Sequence, residues 1–155
     1  MGFAFYMIWR SCNETDPNKM NINRLSEHIL HLAKQANENF TENSLAEYNN
    51  AIDIFNKNFH NKRVSRSERK RINGRLKEAD TIMDTAIERF TDDVIKRLNA
   101  MYADVQSGEF EQLRRRRSEW ASTYEWGVKL FVEEYKIKEM LAEIDQALDN
   151  DGAVP

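Results

Sequence analysis

The sequence is short of everything that breaks, bends or cross-links a chain. Its one cysteine, Cys12, leaves no intramolecular disulfide to form. Packing must therefore hold the fold, and a lone thiol agrees with a reducing compartment, so a cytoplasmic location is the expectation. The two prolines are Pro17 and Pro155, and nothing between them interrupts a helix in the way proline does. Five glycines in 155 residues do not build a Gly-rich phosphate loop, and neither a nucleophile elbow nor a metalloprotease helix motif is present.

Long hydrophobic runs are missing as well. The longest, Gly2–Trp9, is too short to span a bilayer. It lacks the basic residues ahead and the small residues behind that mark a secretory signal. We read it as a short strand or helix tucked on the core; an interfacial anchor, or sequence upstream of a start at Met20, are the alternatives. Charge of one sign is scarce too. With 23 Lys and Arg against 26 Asp and Glu, the net charge is −3, so any nucleic-acid role needs a local patch rather than bulk electrostatics.

What the chain does have is charge and helical period. Hydrophobic residues make up 41% and charged residues 32%, a balance suited to amphipathic helices with much solvated surface. The expected fold is all-α: a helical bundle built on a long antiparallel helical hairpin with two shorter N-terminal helices. Residues 21–148 read as one domain, residues 1–20 as a separate apolar and polar segment, and residues 149–155 as a frayed tail.

Ile22, Leu25, Ile29, Leu32, Ala36 and Phe40 recur at three- and four-residue steps and predict a first helix over about 21–39. Ser44 and Glu47 make a capping-box pattern for a second helix ending near Phe59, and Ser65 with Glu68 makes another. From there one seam of coiled-coil type runs from Ile72 through Met83, Phe90 and Leu98 to Val105, predicting a single long helix. Ser107 and Gly108 supply the turn.

The next stretch, about 109–148, reads as a second long helix whose apolar face changes. Phe110, Leu113, Trp120, Tyr124 and Phe131 share one side of a wheel at about 100° per residue, and Ile137, Leu141 and Ile144 share another. The drift of a coiled-coil seam is only ~20° per heptad. The helix must therefore change partners or kink, and Gly127 sits at the changeover. A homodimer is an alternative way to cover so much apolar stripe.

Two basic clusters stand out. Arg114–Arg117 lies beside the C-terminal end of the preceding helix, where the macrodipole favours cations, and Arg117 is placed to stack on Trp120 or Tyr124. Lys62, Arg63, Arg66, Arg69, Lys70, Arg71, Arg75 and Lys77 form a denser group at a helix N-terminus, where cations oppose the dipole. The acidic segment from Glu133 to Asp151 is the expected internal partner of this second group, across the hairpin. Arg24, Glu27, His28 and His31 cluster on the first helix, but three histidines in all and scattered carboxylates give no converging metal-ligand set. No metal or cofactor is expected.

The resulting functional expectation is a non-enzymatic helical interaction module (an adaptor, scaffold or inhibitor) that binds another protein. The candidate protein-binding residues are Arg115 and Trp126, which lie close together on the wheel, because Trp and Arg dominate interface hot spots. The alternative is nucleic-acid binding through Lys62, Arg63, Arg66, Arg69, Lys70 and Arg71. A helical enzyme with a histidine-based site at His31 comes third.

Overall fold

A computed structural model describes residues 16–131 and 133–153 of the chain. The described residues form a 3-10 turn, Pro17–Lys19, then α1 (Ile22–Glu38), α2 (Glu42–Phe59), α3 (Arg66–Ser107), α4 (Phe110–Tyr124), a 3-10 segment (Glu125–Leu130) and α5 (Glu134–Ala153), with no strand among them. The all-α bundle is as expected. No described helix is long and apolar enough to cross a membrane. The apolar run Gly2–Trp9 and Cys12 lie outside the described residues.

Where the sequence reads as one domain, the chain divides into two compact units with the boundary between Ile87 and Glu88. α3 contributes its first half to one unit and its second half to the other.

The first unit is assembled from α1, α2 and the start of α3. Asn21 caps α1 by accepting a hydrogen bond from the Arg24 N–H at 2.8 Å, which satisfies one of the donors a helix start leaves unpaired. Leu25, Ile29, Ala33 and Ala36 of α1 are completely buried. They pack with Tyr48, Ala51 and Ile54 of α2 and with Ala79 and Met83 of α3.

The second helix starts earlier than its sequence suggests. Thr41, not Ser44, is the N-cap, and Ser44 occupies the third helical position, where its hydroxyl accepts from the Thr41 N–H at 2.8 Å. Two polar contacts pin α3 to this pair. The Tyr48 hydroxyl donates to Asp80 at 3.1 Å, and burial together with that bond pushes the Tyr48 pKa up. Arg75 donates to the Asn23 carbonyl and to the buried Ser26 hydroxyl, and reaches Glu27 at 3.3 Å.

In the second unit α3 ends in a Schellman turn. Gly108 has φ +74°, its N–H bonds the Val105 carbonyl, and the Glu109 N–H bonds the Asp104 carbonyl. Only glycine takes that left-handed conformation freely, so Gly108 sets the reversal into α4. Leu113, Trp120 and Tyr124 of α4 are buried, as are Val94, Leu98 and Met101 of α3 and Ile137, Leu141 and Ile144 of α5.

The expected second long helix is interrupted. α4 stops at Tyr124, the chain tightens into the 3-10 segment, and α5 then folds back on α4. The pairs Arg117–Asp145 and Arg114–Asp151 make α4 and α5 antiparallel. The physical cause is at Gly127. A Cβ there would lie 2.5 and 2.6 Å from two ring atoms of Phe90, so the Phe90 ring occupies the space where any other residue carries its side chain. Past Asp149, where the sequence suggests a frayed tail, α5 continues to Ala153, and Asp151 accepts from Arg114.

Phe90 is packed on several sides by other rings, so it is not free to swing away from a new methyl group. Gly127→Ala should therefore destabilise the protein by about 1–3 kcal/mol, the usual range for overpacking. Urea unfolding of the full chain measures this. An unchanged midpoint would show that the ring yields without loss.

Candidate functional site

Phe90 is the hub of an aromatic cluster. Its ring centroid lies 5.5 Å from Tyr124, 5.1 Å from Trp126 and 6.3 Å from Phe131. Trp126, expected close to Arg115 as a protein-binding residue, is half-buried on this cluster, and its indole N–H donates to the Thr123 carbonyl at 2.9 Å. Arg115 is exposed on α4.

Trp120 is core, at 1% exposure, and the Arg117 guanidinium sits 5.7 Å from its ring centre, as the sequence suggests. The Trp120 indole N–H finds no acceptor among the described residues. That costs roughly 1–3 kcal/mol, which the burial of so large a ring offsets.

Phe131 also forms one wall of an apolar groove. Ile95 and Leu98 of α3 face Phe131, Ile137 and Met140 across a space of about 420 Å³. Ile95 is 48% exposed, and with Leu98, Phe131, Ile137 and Met140 it forms a contiguous apolar lining rather than an isolated exposed side chain. Glu133 and Lys136 stand at the rim, paired with each other at 3.1 Å, so the groove carries little net charge. The sequence reading missed this site because Ile95 lies outside the seam that passes through Val94 and Leu98. An aliphatic residue off the seam was the available signal.

A second, polar notch of about 230 Å³ is lined by Asp93, Lys96, Arg97, Ala100 and Arg116. Two of its cations are already engaged. Arg97 lies over the Tyr124 ring at 5.7 Å, and Arg116 donates to both carboxylate oxygens of the buried Asp104 at 3.1 and 3.2 Å and to the Ala100 carbonyl.

The arginine run therefore works by specific pairing rather than by the helix dipole alone. Arg114 bonds Asp151, Arg116 bonds Asp104, and Arg117 bonds Asp145 in a two-point contact at 2.7 and 3.2 Å. The bond to Asp145 raises the Arg117 pKa above its already high value, against the opposing effect of burial.

These pairs correct the charge assignment made from the sequence. Asp145 and Asp151, expected to face Lys62–Lys77, are held by Arg117 and Arg114, because α5 doubles back on α4 instead of continuing away from it. Within the basic cluster Arg75 is drawn into α1, and Lys62 lies over the Phe59 ring at 5.2 Å. Arg63, Arg66, Arg69, Lys70, Arg71 and Lys77 are exposed and form no ion pair among the described residues.

Within the cluster on α1 the carboxylate is already engaged. Glu27, one turn from His31 on α1, is held by Arg75 at 3.3 Å and by Arg24 at 3.8 Å. No group of three His, Cys, Asp or Glu side chains among the described residues converges on a metal position. No family model matches the sequence, and neither the curated proteins nor the solved structures provide a match.

His28 has a measurable consequence. Burial, followed by repulsion from His31 and Arg24, lowers its pKa below 6.5, with Glu47 opposing. The fold therefore prefers neutral His28. Its contribution to stability is present above the unfolded value of about 6.5 and is lost as pH falls through the lower folded value, where the unfolded chain binds more protons. The His28 ring signals in an NMR titration should move with a midpoint below 6.5. A midpoint above that value would mean that Glu47 outweighs burial and the neighbouring cations.

Proposed function

We propose that the chain is a non-enzymatic helical interaction module that binds another protein, and that the apolar groove between the second half of α3 and the start of α5 is where it does so. The observation that carries this reading is Ile95, nearly half exposed at the edge of a space walled by Leu98, Phe131, Ile137 and Met140. α5 runs in the same direction as the second half of α3: Tyr102 bonds Glu143, while Ile95 faces the first turns of α5. A groove between two parallel helices, neutral at its rim, suits the apolar face of an amphipathic helix from a partner. Such an anchor desolvates a few central side chains and leaves a polar rim around them.

Arg115 and Trp126 take a secondary place in this reading. Trp126 already gives one ring face to Phe90 and its N–H to Thr123, which leaves less of it for a partner. Through Phe90 and Phe131 it is nevertheless continuous with the groove wall.

A photo-crosslinking side chain at position 95 identifies the partner in its native setting, and titration of the purified pair gives the affinity. Ile95→Asp should weaken binding at least tenfold, about 1.4 kcal/mol, while changing stability by less than about 1 kcal/mol, as expected at a half-exposed site. If Trp126→Ala or Arg115→Ala ends binding and Ile95→Asp does not, the aromatic and arginine face is the interface. Crosslinks only between copies of this chain, with a dimer in sedimentation that Ile95→Asp dissolves, would make a second copy the occupant.

A further inference from the structure

The first three turns of α3 carry a feature that protein binding at the groove does not use. Arg66, Arg69, Lys70, Asn73 and Lys77 are all exposed, and at three- and four-residue spacing they lie along one face of the helix. Ile72, Ala79 and Met83, on the opposite side, are buried. From Arg66 to Lys77 the stripe is about 16 Å long at 1.5 Å per residue, close to five nucleotide steps of about 3.4 Å along one strand. Lys62 and Arg63 extend it into the connection before the helix. Past Lys77 the same face turns acidic with Asp80 and Asp84, so the patch has a definite end.

The placement of these cations works against the fold. They stand where the macrodipole is positive, with Glu68 as the acidic residue of the first turn. Arg66 also repels Arg69 and Lys70, one turn away. Among the described residues no carboxylate is bonded to them. Contrast Arg75, on the same helix, which is bonded to three residues of α1.

We infer that the stripe Arg66–Arg69–Lys70–Lys77 binds the phosphate backbone of duplex nucleic acid. Three chemical observations select this class of partner. Arginine is prominent in the cluster, and its planar guanidinium matches phosphate with two hydrogen bonds. Among the described residues no large hydrophobic side chain is exposed in the first unit, the three that are exposed (Ile95, Leu130 and Tyr135) belonging to the second. An interfacial membrane helix needs an apolar face to insert, and a protein interface needs an apolar centre. The stripe has neither. Finally, it contains no aromatic ring on which unpaired bases stack, which disfavours single strands. Contacts of this kind position a duplex without reading its sequence.

The test is fluorescence anisotropy of the full chain with labelled 20-base-pair duplexes of DNA and RNA over about 50 to 200 mM salt. Four phosphate contacts predict a slope of log K against log salt of roughly −3.6, from about −0.9 per contact. Replacing three of them in Arg66→Gln/Arg69→Gln/Lys70→Gln should reduce the slope to near −1 and weaken binding at least tenfold at low salt. The same variant should keep its helical circular dichroism and melt at the same temperature or higher, because the removed charges opposed the dipole. Lys77→Gln alone should lower the slope by about one unit, giving a milder variant if the triple one misfolds. Ile95→Asp should bind duplex as wild type does, which separates this site from the groove.

Absence of binding at the lowest salt overturns the inference, as does binding that the triple variant leaves intact. Tighter binding to polyglutamate or to anionic vesicles than to duplex overturns it in favour of those partners.

Discussion

The second unit depends on one steric fact, the Phe90 ring lying against the backbone of Gly127. Because the ring takes the place of a side chain at position 127, the chain approaches α3 more closely there than a regular helix with a Cβ allows. α4 ends at Tyr124 and six residues run as a 3-10 segment. Phe131 then comes onto the other rings and α5 starts from a position that sends it back along α4. Two features of this unit follow. Folding back delivers Asp145 and Asp151 to Arg117 and Arg114, and it stands the first turns of α5 beside Ile95, with the apolar groove between them.

The parts of the fold legible in the sequence are those decided locally. Gly108 reads as a turn because a residue with positive φ is needed to end a helix sharply. The seam from Ile72 to Val105 reads as a helix because its period never changes. Trp120 beside Arg117 is also legible, since both lie in the regular part of α4. Less legible is any choice between two equally good local patterns. Thr41 and Ser44 both precede a residue three positions on that completes a cap, and the structure takes the earlier. Residues beyond Tyr124 were misplaced for a geometrical reason. A wheel drawn at about 100° per residue fails through a 3-10 segment, which turns by about 120° per residue at three residues per turn. Trp126 falls in that segment, so its expected position beside Arg115 carried an error that grows with each residue.

Charge partners were the least legible of all, because pairing depends on which segments meet. With one straight helix after Gly108 the C-terminal carboxylates run toward the basic cluster; with a break at Gly127 they return to the arginines of α4. The break near Gly127 thus accompanies the pairing of Arg114 and Arg117. The arginine run and the Lys62–Lys77 cluster look alike as sequence, yet the first is largely consumed in structural pairs and the second is left exposed.

That division leaves different kinds of exposed charge interaction in the two units. In the second unit Arg117 is mostly shielded and binds Asp145 at two points, a geometry that salt screens incompletely. The exposed pair Lys136–Glu133 is the kind that salt weakens. In the first unit the exposed interactions around Arg66, Arg69 and Lys70 are repulsive, so screening over ~8–10 Å at moderate salt favours the fold. A polyanion does the same with fixed geometry, adding attraction where salt only removes repulsion. Part of any affinity for phosphate at this stripe is therefore strain relieved in the helix itself. Burying the same cations against internal carboxylates, as at Arg114 and Arg117, removes that source of affinity, so an exposed and mutually repelling stripe is the better arrangement for capturing an anion from outside.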